Sequence, residues 1–201
     1  MKRTLMIGII SLFIVNICLG QNSVQARKIL DKTASVLSRK GGVSAKFNIT
    51  ASQGGANGTL YVKGNKFKVV MPEMTIWNNG KTQWAYMKST DEVNVSTPSE
   101  SQQQAVNPYH FINLYKSGFN LSMKTLSKGW LIHLVAQNSK RGIKEMYVSI
   151  NKSYQPYQIK MRQSNGWTTI DINSMKTANL SDKLFVFNKK ECPTAEIIDL
   201  R

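Results

Sequence analysis

From Val43 onward the chain alternates with a period of two: Ala45, Phe47 and Ile49 interleave with Ser44, Lys46 and Asn48, the pattern of a strand with one dry face. The same rhythm predicts further strands over residues 59–63, 66–71, 75–77, 81–87 and 92–96. Short turns at Gly64-Asn65, Asn78-Asn79-Gly80 and Thr90-Asp91 separate them, rich in residues that tolerate positive φ. Such close spacing predicts an antiparallel meander. The cluster Gly54-Gly55-Ala56-Asn57-Gly58 reads as a hairpin loop, because no helix follows that could hold a phosphate. Ahead of the strands, Val24, Ile29, Leu30, Val36 and Leu37 share one side of residues 23–37, and Gly41-Gly42 ends the run. That segment is predicted to be one amphipathic helix.

Residues 97–104 are a polar interruption with a proline, Pro98, that a central strand would not accept, so they read as a loop. Asn107-Pro108 then opens a stretch whose Phe111, Leu114 and Tyr115 stand at helical spacing, predicting a short aromatic helix between two halves of a sheet. A second meander is expected over 121–126, 130–136, 143–150, 157–162, 167–175 and 184–187, with hairpin turns at 139–142 and 164–166. The fold class is mainly β with a few helices (α+β). A sheet of about eleven antiparallel strands is too large to stay flat and curls into an incomplete barrel. Its concave side must be filled by helices and side chains or by a ligand.

The first twenty residues change how the charge is understood. Lys2 and Arg3 precede an apolar run from Leu5 to Leu19, and Cys18-Leu19-Gly20 supplies small residues where a peptidase would cut. Residues 1–20 therefore read as a signal peptide, the run being shorter than the roughly 20 residues that span a bilayer. Ile17 stands where a lipoprotein signal needs a small residue before Cys18, so the expected mature chain is an unlipidated single domain over residues 21–201. The 201 residues carry 27 Lys+Arg against 11 Asp+Glu, a net charge of +16; losing Lys2 and Arg3 leaves +14. In the cytoplasm that charge would suggest nucleic acid. For an exported chain without zinc-finger spacing or an RNA-binding motif, no nucleic-acid partner is expected.

Bond-making chemistry finds few residues. His110 and His133 are the only imidazoles, with no H-E-x-x-H pattern and no cysteine pair to hold a metal. No G-x-S-x-G elbow occurs, and no facing carboxylate pair can be assigned. Cys192 precedes Pro193 without a neighbouring histidine and reads as a structural thiol. Neither enzymatic activity nor a cofactor is expected. Aromatic and apolar side chains are abundant instead, including Phe47, Tyr61, Phe67, Trp77, Trp84 and Tyr86 in the first half. A half-barrel lined by rings and methionines suits acyl chains, whose burial contributes about 0.8 kcal/mol per methylene. The candidate lining is Phe47, Leu60, Phe67, Val69, Met71, Trp84 and Tyr86, with Phe111 and Leu114 on a lid. Met71, Met74 and Met87 would let such a surface repack around different shapes.

Particular residues resemble a known family. Gly58-Thr59-Leu60-Tyr61-Val62-Lys63 followed by Phe67, and Asn79-Gly80-Lys81-Thr82-Gln83-Trp84-Ala85-Tyr86 followed by Val93 and Val95, look like the motif strands of LolA-type outer-membrane lipoprotein carriers. The element order, with a closing Phe185-x-Phe187 strand, is similar to that of those carriers, and residues 185–190 with Ile197-Ile198-Asp199-Leu200-Arg201 resemble a LolA-like periplasmic subgroup. Gly64 stands where those carriers have an arginine that helps hold the lid closed. The resemblance implies an incomplete barrel with helices as a lid over an apolar cavity. It implies a monomeric periplasmic carrier or chaperone for acylated lipoproteins or lipids, served by an inner-membrane release complex and an outer-membrane acceptor, with no cofactor. Two other readings stay open: an envelope stress-sensing module on the same fold, and a basic module for anionic glycolipid or polysaccharide using Lys63, Lys66, Lys68 and Lys81.

Overall fold

The computed structural model describes residues 22–52, 54–98 and 114–201. Residues 22–37 form helix α1, whose Ala26, Ile29, Leu30, Thr33 and Leu37 are buried. Their spacing places them on one stripe of a 3.6-residue period. Thr33 is tolerated there because its hydroxyl donates to the Ile29 carbonyl at 3.0 Å. After the helix the chain passes between two backbones. A Cβ on Gly41 would lie 2.5 Å from the Ala178 carbonyl oxygen, and one on Gly42, at φ +90°, would lie 2.6 Å from that of Val62. Only glycine fits both positions.

Among the described residues, twelve strands form one sheet. The first meander comprises β1 (Val43–Ala51), β2 (Gly54–Lys63), β3 (Lys66–Val70), β4 (Met74–Asn78), β5 (Gln83–Met87) and β6 (Glu92–Ser96). The second comprises β7 (Phe119–Leu126), β8 (Gly129–Ala136), β9 (Glu145–Asn151), β10 (Pro156–Gln163) and β11 (Gly166–Thr177), and β12 (Glu196–Asp199) closes the chain. Spatial order is β12-β6-β5-β4-β3-β2-β1-β11-β10-β9-β8-β7. The chain thus starts at the sheet's middle, runs to one edge, crosses to the other and returns. The antiparallel pairing of β1 with β11 joins the two meanders.

Three expectations are corrected. The sheet is not wholly antiparallel, because β12 pairs with β6 in parallel. Gly54–Gly58 is not a loop: these residues are the first half of β2 and pair with β1 from Ala51 back to Phe47. Residues 184–187 are not a strand. Ser181 caps a 3-10 turn over Asp182–Phe185 by accepting from the Lys183 amide, and Phe185 is fully buried. Of the expected aromatic helix, Leu114–Lys116 is a 3-10 turn, while Phe111 lies outside the described residues.

The two faces of the sheet are covered differently. On the inner face, Ala26, Ile29 and Leu30 of α1 pack with Tyr115, Phe119, Ile132, Leu134, Met146, Val148, Ile150 and Met161. Leu37 at the helix end packs with Val43, Val62, Phe67 and Ile76 of the first meander. Polar contacts pin the helix: the Tyr115 hydroxyl donates to Asp31 at 2.5 Å, and Lys32 donates to the Tyr154 hydroxyl at 3.1 Å. On the outer face, the C-terminal segment straps the first meander, packing Phe187, Cys192 and Ala195 against Trp77, Trp84, Tyr86, Val93 and Val95. Phe187 meets Trp77 edge-on at 5.4 Å. This strap also brings two carboxylates to three of the four lysines that the sequence offered as a basic patch. Lys63 and Lys66 each lie 3.0 Å from Asp182, and Lys68 lies 2.8 Å from Glu191 with its ammonium over the Trp77 ring.

Candidate functional site: an apolar cavity between the meanders

Where β1 and β11 join the two meanders, the inner face does not close. A cavity of about 290 Å³ remains beside the end of α1. Strand β1 contributes Val43, Ala45, Phe47 and Ile49, β2 contributes Leu60 and Val62, and the β3–β4 hairpin contributes Val69, Met71, Met74 and Ile76. The second meander supplies Pro156, Ile159, Ile170, Ile172 and Met175, and Leu37 reaches in from the helix. Period-two alternation explains the set on β1 to β4, whereas register irregularities in β10 and β11 put Pro156 with Ile159 and Ile172 with Met175 on one side. All of the lining residues are apolar. Such a surface gives a ligand burial without a hydrogen bond to fix its orientation. Three of the residues are methionines, whose unbranched thioether chains repack at low cost.

The residues expected at this site separate into three groups. Phe47, Leu60, Val69 and Met71 line the cavity. Phe67 lies on the same face but is 1% exposed, packed into the core under Leu37. Trp84 and Tyr86 lie on the opposite face beneath the C-terminal strap, and this corrects their assignment to the lining. Within β5 it is Ala85 that points inward. Leu114 packs against the helix-covered core of the second meander, away from the cavity. The isoleucines of β10 and β11 were not anticipated as lining. Their alternation with polar residues was visible, but their meeting with β1 depends on a pairing that spans more than a hundred residues of chain.

Shifted titrations occur elsewhere. On the outer face Glu145 accepts from the Tyr147 hydroxyl at 2.9 Å, lies 2.8 Å from His133 Nε2 and pairs with Arg162 at 3.1 Å. The Tyr147 hydrogen bond, then that of His133, holds its carboxyl below the usual carboxylate range. The His133 ring stacks on Tyr147 at 4.3 Å. Asp182 is held low by its hydrogen bonds to Lys63 and Lys66, and burial pushes the Cys192 thiol up. None of these groups lines the cavity.

A solved structure shares this architecture, and others are similar to it over less of the fold. An uncharacterized conserved protein from Thermus thermophilus superposes with a TM-score of 0.60 at 16% identity, covering 87% of this chain and 99% of that one. A LolA superfamily protein from Nitrosomonas europaea gives 0.43 at 14% identity, with coverage of 81% and 97%. LprF from Mycobacterium bovis gives 0.44 at 10% identity, with coverage of 80% and 96%. A search of curated proteins found no match. Residues 17–165 match the family model described as outer membrane lipoprotein carrier protein LolA. With that match spanning most of its 201 residues, the chain belongs to the LolA family of outer membrane lipoprotein carrier proteins.

Proposed function

We propose that this protein is a non-catalytic periplasmic carrier that shields the acyl chains of lipoproteins from water as they pass from the inner to the outer membrane. One observation carries the reading: a cavity between the meanders whose lining residues are all apolar. An acyl chain moving through water needs continuous apolar cover, at about 0.8 kcal/mol per methylene. It also needs to leave, and a lining free of hydrogen bonds and ion pairs offers nothing directional to break on release. Family membership supports lipoprotein as the cargo, and the apolar run at residues 5–19 supports export. The basic mature chain then favours encounter with anionic headgroups at a membrane surface.

The test is release from a membrane. Spheroplasts that display newly made lipoproteins are incubated with the purified mature chain. The reading predicts that lipoproteins appear in the supernatant bound to it in a one-to-one complex. Lipoproteins that stay membrane-bound, while free fatty acid or phospholipid still binds the cavity, would reduce the protein to a lipid binder.

A further inference from the structure

Strand β2 outruns one of its neighbours. It pairs with β1 from Gly54 to Val62, whereas β3 meets it only between Thr59 and Lys63. After Val70 the chain turns away, the Met71 amide donating to the Met74 carbonyl at 2.9 Å. One margin of residues 54–58 is therefore left, among the described residues, without a partner strand, and Gly54, Gly55, Ala56 and Asn57 are exposed. Lys63 and Lys66 flank the two-residue turn Gly64-Asn65, so they form a hydrogen-bonded pair. Alternation gives Tyr61 and Thr59 the same direction, toward β3, and the amides and carbonyls of Asn57 and Gly55 point past its end.

Two features set this edge apart. Exposed edges ordinarily carry a lysine, a proline or a bulge that blocks a further strand. Gly54-Gly55-Ala56-Asn57-Gly58 has neither lysine nor proline, and its register with β1 is unbroken. Its side chains are too small to cover the backbone. The edge is also continuous with the apolar cavity. A groove of about 430 Å³ opens at Asn57 and Gly58, and Phe47 and Met71 line this groove and the cavity alike.

We propose that residues 54–58 bind the polypeptide of the cargo by strand addition, a role that rests on the carrier reading above. A lipoprotein carries its acyl chains on the cysteine that starts its polypeptide. Chains held in the cavity therefore put the next residues of the cargo at the groove. Leaving past Gly58, these run toward Gly54 and join the sheet antiparallel to β2, in line with β3. Their main-chain groups bond those of Asn57 and Gly55. Bonds of this kind supply affinity without reading the side chains of the cargo.

The test titrates three probes into the mature chain: N-palmitoyl-S-methylcysteine amide, the same lipid with an uncharged tail of serine, threonine and valine long enough to span residues 54–58, and that tail N-methylated at alternate residues. The tail is expected to tighten binding about tenfold, the net of a few main-chain hydrogen bonds and the ordering of the tail. N-methylation is expected to remove that gain. Asn57→Pro, which takes away an outward amide at an edge position that tolerates proline, is expected to lose the gain and leave the tail-less lipid within about twofold. By NMR, hydrogen exchange at Asn57 and Gly55 is expected to slow with the tailed lipid only. A tail that adds no affinity, or an N-methylated tail that binds as well, would overturn strand addition and leave the carrier reading standing. So would protection of both amides in the free protein that rises with its concentration, since a second copy would then hold the edge. None of the probes binding the unaltered protein would remove both readings.

Discussion

Filling the cavity from its floor separates cargo binding from stability. Ala45 lies on β1, 6% exposed, opposite Leu60 of β2 and Met175 of β11, and all three line the cavity. Ala45→Leu adds three carbons to that space. A ligand of fixed length then loses burial for three methylenes, at about 0.8 kcal/mol each. The sum, about 2.4 kcal/mol, corresponds to roughly fifty-fold weaker binding. Stability moves the other way, because the new methyl groups fill empty apolar space. Overpacking a site that was already full would instead cost about 1–3 kcal/mol. Displacement of a fluorescent fatty acid measures the first effect and thermal unfolding the second, with Ser44→Leu on the opposite face as control. Undiminished affinity in a folded Ala45→Leu protein would refute this site for the chains, and a lowered Tm would refute the open space.

Three further outcomes follow from the strap and the outer face. Phe185→Ala removes a fully buried ring from the C-terminal segment and is expected to cost about 3–5 kcal/mol in urea unfolding, with hydrogen-exchange protection lost first over residues 182–199. Glu191→Ala leaves Lys68, whose side chain is 11% exposed, without its carboxylate; a loss of about 1–3 kcal/mol is expected, largely recovered in a double variant with Lys68→Met. Glu145 has its folded pKa lowered by Tyr147 and His133, so its stabilisation is complete above its unfolded value, about 4.3, and is lost as pH falls through the lower folded one. Glu145→Gln is therefore expected to flatten the acid limb of stability measured by denaturant unfolding between neutral and low pH, and an unchanged limb would remove this contribution.

Much of the architecture was legible because alternation is a local signal. Phe47, Leu60 and Val69 read as inward from their neighbours alone, and they are inward. Alternation fails where both faces are apolar. In β5 the large rings Trp84 and Tyr86 alternate with Ala85, and size suggested that the rings were inside. Instead the strap gives the outer face a core of its own, and the rings face that. Whether residues 182–199 return to this face depends on contacts far along the chain, including the parallel pairing of β12 with β6. A similar limit applies to Tyr157, which alternation alone would put on the same face as Ile159 and Met161. A register shift between Pro156 and Gln158 turns it out to 38% exposure. At Gly54–Gly58 composition pointed to a loop, whereas backbone pairing with β1 holds these residues in a strand. Glycine is required at Gly58, where a Cβ would lie 2.5 Å from the Val70 carbonyl oxygen.

The central claim is that the space between the meanders holds acyl chains. Native mass spectrometry of the mature protein purified from its own envelope fraction tests it directly. The account predicts adducts with the mass of an acylated lipoprotein, present on the unaltered protein and depleted on Ala45→Leu. A protein that emerges uniformly empty, or whose adducts are as abundant on Ala45→Leu, would contradict it.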